Sequence, residues 1–177
     1  MDNKEPMTFH SSEMNPGQWM TLVADSELAQ GIMRRWDWGD GTLMYGIMRT
    51  WERTGNKRYV DYVKRWLDHH IEKGFAVDHG DRCTPGIADL MVYEVNGEKK
   101  YLEAAEQICH FLFRHAGEVR GERHMVWSRF WVDDIFMICP FLARLGKITR
   151  DKKYYEAAMH QIILYAKRLQ NKDTALF

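Results

Sequence analysis

Three short stretches, GNKRYVDYV from residue 55, GEKKYLEAA from 97 and RDKKYYEAA from 150, share one layout: a turn residue, two basic residues and then Tyr. A chain that repeats a layout of this kind is built from copies of one supersecondary unit, each too small to bury its own apolar face, so the copies must stack. The spacing from Tyr59 to Tyr101 is 42 residues and from Tyr101 to Tyr154 it is 53. Such a period is too loose for the short solenoid motifs and suits pairs of helices joined by loops of variable length.

Each repeated stretch opens a helix with one apolar stripe. Tyr59, Tyr62, Val63, Trp66, Leu67, His70 and Ile71 follow the i, i+3, i+4, i+7 rule until Lys73 and Gly74 close the run. Tyr101, Ala104, Ala105, Ile108 and Leu112 repeat the pattern, as do Tyr154, Ala158, Ile162, Tyr165 and Leu169. A more apolar segment precedes each one: Leu43 to Trp51, Ile87 to Val95 and Ile135 to Leu145. The apolar member of each pair is expected inside, enclosed on both sides, and the striped member outside, facing water. A leading helix from about Pro16 to Met33 completes an all-α chain of three inner–outer hairpins, with no convincing strand alternation. A length of 177 residues suits one domain spanning 1–177, with residues 1–15 read as a flexible tail.

Composition removes several classes of function. Twenty-five basic and 25 acidic residues cancel, leaving no long-range positive field to gather nucleic acid or an anionic membrane. Three scattered cysteines, Cys83, Cys109 and Cys139, lack zinc spacing and read as reduced thiols. The N-terminal stretch lacks an apolar core segment, and no later run approaches the roughly 18 apolar residues a membrane span needs, so the expectation is a cytoplasmic chain, and the cysteine spacing gives no reason to expect a structural metal. Aromatic residues make up 13% of the chain, and several stand beside Asp, Gly or His instead of inside apolar stripes. Flat rings placed that way can pack on the C–H face of a sugar, though large aromatics are also ordinary core filler.

Like-oriented inner helices bring their N-termini to one rim. The segments that lead into them are RRWDWGDGT from 34, HGDRCTPGI from 79 and WSRFWVDDI from 127. All carry Asp: Asp37 and Asp40 in the first, Asp81 in the second, Asp133 and Asp134 in the third. Helix N-termini offer unsatisfied N–H groups and a positive dipole end that favour carboxylates. Asp133 and Asp134 are adjacent, so their side chains diverge; one is expected to cap the helix and the other to point along the rim. Apolar neighbours Trp131, Ile135 and Phe136 would raise the pKa of a carboxyl in a cavity while the helix dipole would lower it, and spacing does not decide the sign. Trp36 and Trp38 either plug the end of the stack or line a ligand cleft. The loop residue His124, near Trp127 and Trp131, is either a solvated bystander or a site residue. His69, His70, His110, His115 and His160 fall on helix faces without carboxylates at ligand spacing and read as structural.

With these residues in place, WDWGDGTLMYGIMRTWERTGNKRYVDYVKRW, DRCTPGIADLMVYEVNGEKKYLEAAE and WVDDIFMICPFLARLGKITRDKKYYEAA, taken in order, resemble the unsaturated glycuronyl hydrolases, in particular the unsaturated rhamnogalacturonyl hydrolases of glycoside hydrolase family 105, near family 88. The resemblance covers residues 18 to 177. It implies an (α/α)6 toroid with its site at the rim of the inner helices. It also implies hydration of the C4=C5 double bond that a polysaccharide lyase leaves on an oligosaccharide, without metal or cofactor. By motif, the resemblance maps the acid/base aspartate onto Asp133, a second functional aspartate onto Asp81 and a loop histidine onto His124. Trp36, Trp38, Asp40, Trp127, Trp131 and Asp134 become candidates for substrate binding.

Three hairpins are about half of such a ring, so open inner faces rich in Leu, Ile, Met and Phe should form a large exposed apolar patch. The remaining half of a longer chain would cover it; so would a second copy in a homodimer. Two other readings stand beside the hydrolase. One is an inactive relative or a helical-repeat module that binds a glycan or protein without turnover. The other is a different α-toroid sugar enzyme such as an acylglucosamine epimerase, which would need paired histidines on inner helices, a placement the sequence does not show.

Overall fold

The repeated layout has a local physical cause. The turn residue that starts each copy takes the left-handed backbone conformation, with φ of 68° at Gly55, 71° at Gly97 and 59° at Arg150. Left-handed residues end helices by letting the chain turn back, and glycine does so without a side-chain clash. In the first and third copies the next residue then caps a new helix by its side chain, Asn56 accepting from Arg58 N–H and Asp151 from Lys153 N–H, whereas Glu98 in the second makes no such bond. The second basic residue of each copy lies over the ring of the tyrosine that follows it, Arg58 on Tyr59, Lys100 on Tyr101 and Lys153 on Tyr154, at 5.0, 5.1 and 4.6 Å from the ring centre. The tyrosine rings are buried at the root of each outer helix.

A computed structural model describes residues 14–119, 122–125 and 130–176. The chain divides into two compact units, Met1–Ile32 and Met33–Phe177. The first holds helix α1, Pro16–Gln30, begun by a reciprocal cap between Asn15 and Gln18 and ended by Gly31 at φ 62°.

The second unit holds three hairpins: α2 (Trp38–Thr54) with α3 (Lys57–Lys73), α4 (Pro85–Asn96) with α5 (Lys99–His115), and α6 (Asp134–Thr149) with α7 (Lys152–Leu169). Helices α2, α4 and α6 form the inner row, with α4 packed against both of its inner neighbours and against α3 and α5. Every residue from Pro85 to Val92 is accordingly buried, whereas α3 keeps Lys57, Arg58, Arg65, Glu72 and Lys73 in water. Met44, Ile47, Leu67, Leu90, Met91, Ile108 and Phe141 are each at most 1% exposed. Such side chains contribute roughly 1.5–3 kcal/mol apiece through removal of apolar surface from water.

Two glycines set how closely the inner helices approach. A Cβ on Gly41 of α2 would stand 2.8 Å from the Pro85 nitrogen and Cδ, and one on Gly86 of α4 would stand 2.6 Å from the Phe141 ring of α6. At the other end of the row, Arg144 and Lys147 of α6 bind Glu94 of α4 at 2.6 and 2.9 Å, and Arg144 lies 4.0 Å from Glu52 of α2. Partly exposed pairs of this kind add little stability. They do establish that the three inner helices end together, so their N-termini also share one side.

One feature departs from the sequence reading. Gly117–Val119 (β1) and Glu122–His124 (β2) pair antiparallel, with Gly117 opposite His124. Three residues per strand are too few to display a two-residue alternation, so the hairpin leaves no periodic signature in the sequence.

Candidate functional site

The rim is assembled from three segments. In the first, Asp37 caps α2 and accepts from Trp38 N–H at 2.7 Å, and Asp40 in the opening turn accepts from Arg35 N–H at 2.8 Å. Trp38 is half exposed. Trp36, offered above as either plug or sugar wall, is the plug. It is 7% exposed, stacked on Trp66 and Phe75 at centroid distances of 5.4 and 4.2 Å, and it donates through Nε1 to the Arg82 carbonyl at 3.1 Å. Its rings are occupied by protein, so its part in a site is to hold the turn that carries Asp81.

That turn, Gly80–Cys83, is the second segment. Asp81 is part-exposed and lies 3.7 Å from His79 Nδ1, while its carbonyl accepts from Thr84 N–H and from the Thr84 hydroxyl. Thr84 Oγ1 stands 2.8 Å from Met137 Sδ, which ties the turn to the first turns of α6. Tyr45 of α2 meets Phe136 of α6 edge-on at 6.4 Å, joining the first segment to the third.

The third segment separates the adjacent aspartates. Asp133 is exposed, takes helical backbone angles and makes no side-chain capping bond. Asp134 is 4% exposed; its Oδ2 accepts from the Tyr165 hydroxyl of α7 at 2.6 Å and from Trp131 N–H at 3.2 Å. Desolvation raises the Asp134 pKa above the usual carboxylate range, the two hydrogen bonds oppose that rise, and repulsion from Asp133 and Asp81 adds to it. Asp81 and Asp133 both lie close enough to Asp134 to act on its charge, at the N-terminal end of the inner row. Trp131 is half exposed beside them. The backbone of His124 ends β2, and Trp127 lies outside the described residues.

Two groups escaped the sequence reading. Asp89 sits in the middle of α4, fully buried, and neither carboxylate oxygen has a hydrogen-bond partner among the described residues. Burial pushes its pKa well above the ordinary value, so it is held as the neutral acid. Tyr165 read as a core stripe residue, which it is at 1% exposure, but its hydroxyl fixes Asp134. A tyrosine four residues after Gln161 on a helix following an Asp pair was the available signal. His70, read as structural, is held by the Arg34 carbonyl at 2.9 Å against Trp36 and Trp66, and burial lowers its pKa.

An apolar groove of about 650 Å³ runs between α6 and α7, lined by residues including Val132, Phe136, Pro140, Tyr155, Met159 and Ile162. No carboxylate lines it, so it is a packing face and not the place for proton transfer. It lies at the last hairpin and is lined by the outer helix α7 as well as by the inner helix α6, whereas the expected patch is on the inner faces of the half-ring. No cluster of three or more metal-ligating side chains occurs among the described residues, and no helix among them is long and apolar enough to cross a membrane.

Hairpins stacked around an inner row, with acidic residues at the inner N-termini, define an α/α-toroid protein of which this chain forms about half. Residues 12–177 match Glycosyl Hydrolase Family 88, and the chain belongs to that family. It is 26% identical over 176 residues to the unsaturated rhamnogalacturonyl hydrolase YesR of Bacillus subtilis (strain 168), covering 88% of this chain and 51% of that protein. A solved structure of a possible member of the GH105 family from Klebsiella pneumoniae shares its fold, with TM-score 0.75, 21% identity and coverage of 98% of this chain and 51% of the other. The family 105 glycoside hydrolase of C. acetobutylicum aligns with TM-score 0.75 and 21% identity over 90% of this chain and 48% of the other. The chain thus spans about half the length of these relatives.

Proposed function

We propose that this chain supplies the acid–base rim of a hydrolase for unsaturated uronyl oligosaccharides of the kind derived from pectin. The observation that carries the reading is that Asp81, Asp133 and Asp134 meet at the N-terminal end of the inner row, with Trp131 next to the pair in sequence and Trp38 exposed at the start of α2 on the same side. Asp133 is the proton donor of this reading because it is the exposed member of its pair. Asp134 is sequestered under Tyr165 and has no path to a substrate.

In this scheme the Asp133 carboxyl gives its proton to C4 of the vinyl ether, and positive charge develops at C5 and the ring oxygen. The carboxylate left behind takes a proton from a water as that water adds to C5. The hemiketal so formed opens to a C5 ketone by breaking the bond from C5 to the ring oxygen, and the hemiacetal this leaves at C1 collapses to an aldehyde, breaking the C1–O bond and releasing the next sugar as the alcohol. One carboxyl serves as acid and then as base. Ordinary glycosidases instead set two carboxyls across the glycosidic bond. Asp81 stabilises the cationic character, and Trp38 and Trp131 offer flat apolar faces to the sugar ring.

The test is the loss of ultraviolet absorbance of an unsaturated disaccharide made by a polysaccharide lyase, followed with the wild-type chain and Asp133→Asn. Loss with the wild type and at least a 100-fold slower loss with Asp133→Asn is expected, in line with the weight of a general acid. A second reading, glycan binding without turnover, draws on the exposure of Trp38 and Trp131. Equal binding by both proteins, with no product from either, would select it.

A further inference from the structure

Helix α7 presents Gln161 and Tyr165, one turn apart, to the segment that leads into α6. Gln161, 2% exposed, accepts from Met125 N–H at 3.1 Å, and Tyr165 donates to Asp134 at 2.6 Å. The Phe130 ring lies 5.2 Å from that of Tyr165, and the Arg168 guanidinium covers Phe130 from one turn further along. An outer helix therefore grips the segment by its backbone at Met125 and by the carboxyl at the start of α6. Both anchors are buried polar bonds, which are costly to leave unmade and hence specify one arrangement.

Resting on the hydrolase reading, we propose that Tyr165 is a positioning residue for Asp133. By holding the Asp134 carboxyl in the core it sets the first turn of α6 so that Asp133, the next residue back, is delivered to the open side of the rim. Asp134 and Asp133 cannot both turn inward, so the hydroxyl that captures one determines the direction of the other. Among the described residues, the charged and titratable groups that act on Asp134 are Asp133 on its own segment, Asp81 from the turn before α4 and Tyr165 from α7, with Cys139 of α6 facing Tyr165 and Arg168 of α7 lying over Phe130. Of these, the two acidic groups raise the Asp134 pKa and the Tyr165 hydroxyl lowers it.

Tyr165→Phe removes the hydroxyl and keeps the ring. Without that bond the Asp134 carboxyl loses its tie to α7. The experiment labels accessible carboxyls with a water-soluble carbodiimide and an amine and reads each aspartate by peptide mass spectrometry, so it needs no catalytic turnover. In the wild type Asp133 is expected to be labelled and Asp134 protected; in Tyr165→Phe labelling of Asp134 should appear and labelling of Asp133 should fall. If the disaccharide assay gives turnover, kcat falls about tenfold, the size of one lost hydrogen bond, while KM stays near the wild-type value. A labelling pattern unchanged in Tyr165→Phe overturns the inference. Should Tyr165→Phe fail to fold, Asp134→Ala decides in its place: lowered labelling of Asp133 supports the inference and unchanged labelling overturns it. Absence of turnover in the wild type with the expected change in labelling would sink the hydrolase reading and leave the positioning role standing.

Discussion

Gly41→Ala and Gly46→Ala place the same methyl group on the same helix and should change stability in opposite directions. At Gly41 the new Cβ would stand 2.8 Å from both the nitrogen and Cδ of Pro85, against the roughly 3.5–4.0 Å that carbon atoms prefer. The deficit is close to 1 Å, and the obstacle is a proline ring and its own backbone, which cannot rotate away. Helix α2 and the start of α4 must part, an overpacking that costs about 1–3 kcal/mol, with the rigid wall favouring the upper end. Replacing glycine by alanine in a helix returns at most about 1 kcal/mol. The net expectation is a loss of about 2 kcal/mol, or a fall of about 4–8 °C in Tm for a chain of this size. A Cβ on Gly46 meets nothing within 4 Å, so that variant should gain up to about 1 kcal/mol. Urea unfolding followed by circular dichroism reads both. A Gly41→Ala protein as stable as the wild type, or a destabilised Gly46→Ala, would refute the claim that close contact at Gly41 holds the inner helices together at the rim.

Three further outcomes follow from individual positions. Arg150 is a non-glycine residue at φ 59° where the first two hairpins use glycine, so Arg150→Gly should raise stability by roughly 0.5–1 kcal/mol, read as a higher urea midpoint. For Asp89 the folded pKa is raised, so its contribution to stability is complete below the ordinary pKa of about 4 and declines as pH rises toward the folded value. Asp89→Asn should therefore flatten the fall in stability as pH rises above about 4, a slope of at most about 1.4 kcal/mol per pH unit, and an identical slope in both proteins would contradict neutral burial. The groove between α6 and α7 exposes Met159 at 61% and Ile162 at 45%, and the chain on its own is expected to associate through it, with a light-scattering mass above its 21.0 kDa. Ile162→Glu should restore the monomer mass; association unchanged in that variant would place the contact elsewhere.

The helices and their pairing were legible because the repeat encodes them twice, once as a 3.6-residue stripe and again as a turn, a cap and a cation over tyrosine. The rim followed from that topology, since parallel inner helices leave their leading aspartates no choice of side. What the sequence could not resolve depended on which of two equivalent groups a distant residue captures. Asp133 and Asp134 differ only by one step along the chain, and the hydroxyl that separates them comes from Tyr165, 31 residues later. Trp36 and Trp38 look alike around Asp37, yet stacking on Trp66 and Phe75 buries the first and leaves the second in water. Asp89 was invisible for another reason: a polar residue in a helix is ordinarily assigned to the wet face, and α4 has no wet face along its first two turns.

Mutual repulsion among the rim carboxylates is the most direct test of the whole account, because it depends on three separate segments meeting in one place. The quantity to measure is the titration midpoint of Asp134 by carboxyl ¹³C shifts in the wild type, in Asp81→Asn and in Asp133→Asn. The account predicts that each substitution lowers the midpoint, since each removes a negative charge that disfavours ionisation of Asp134. A midpoint that responds to Asp133→Asn, its neighbour in sequence, but stays fixed in Asp81→Asn would mean that the inner helices do not bring their leading ends together.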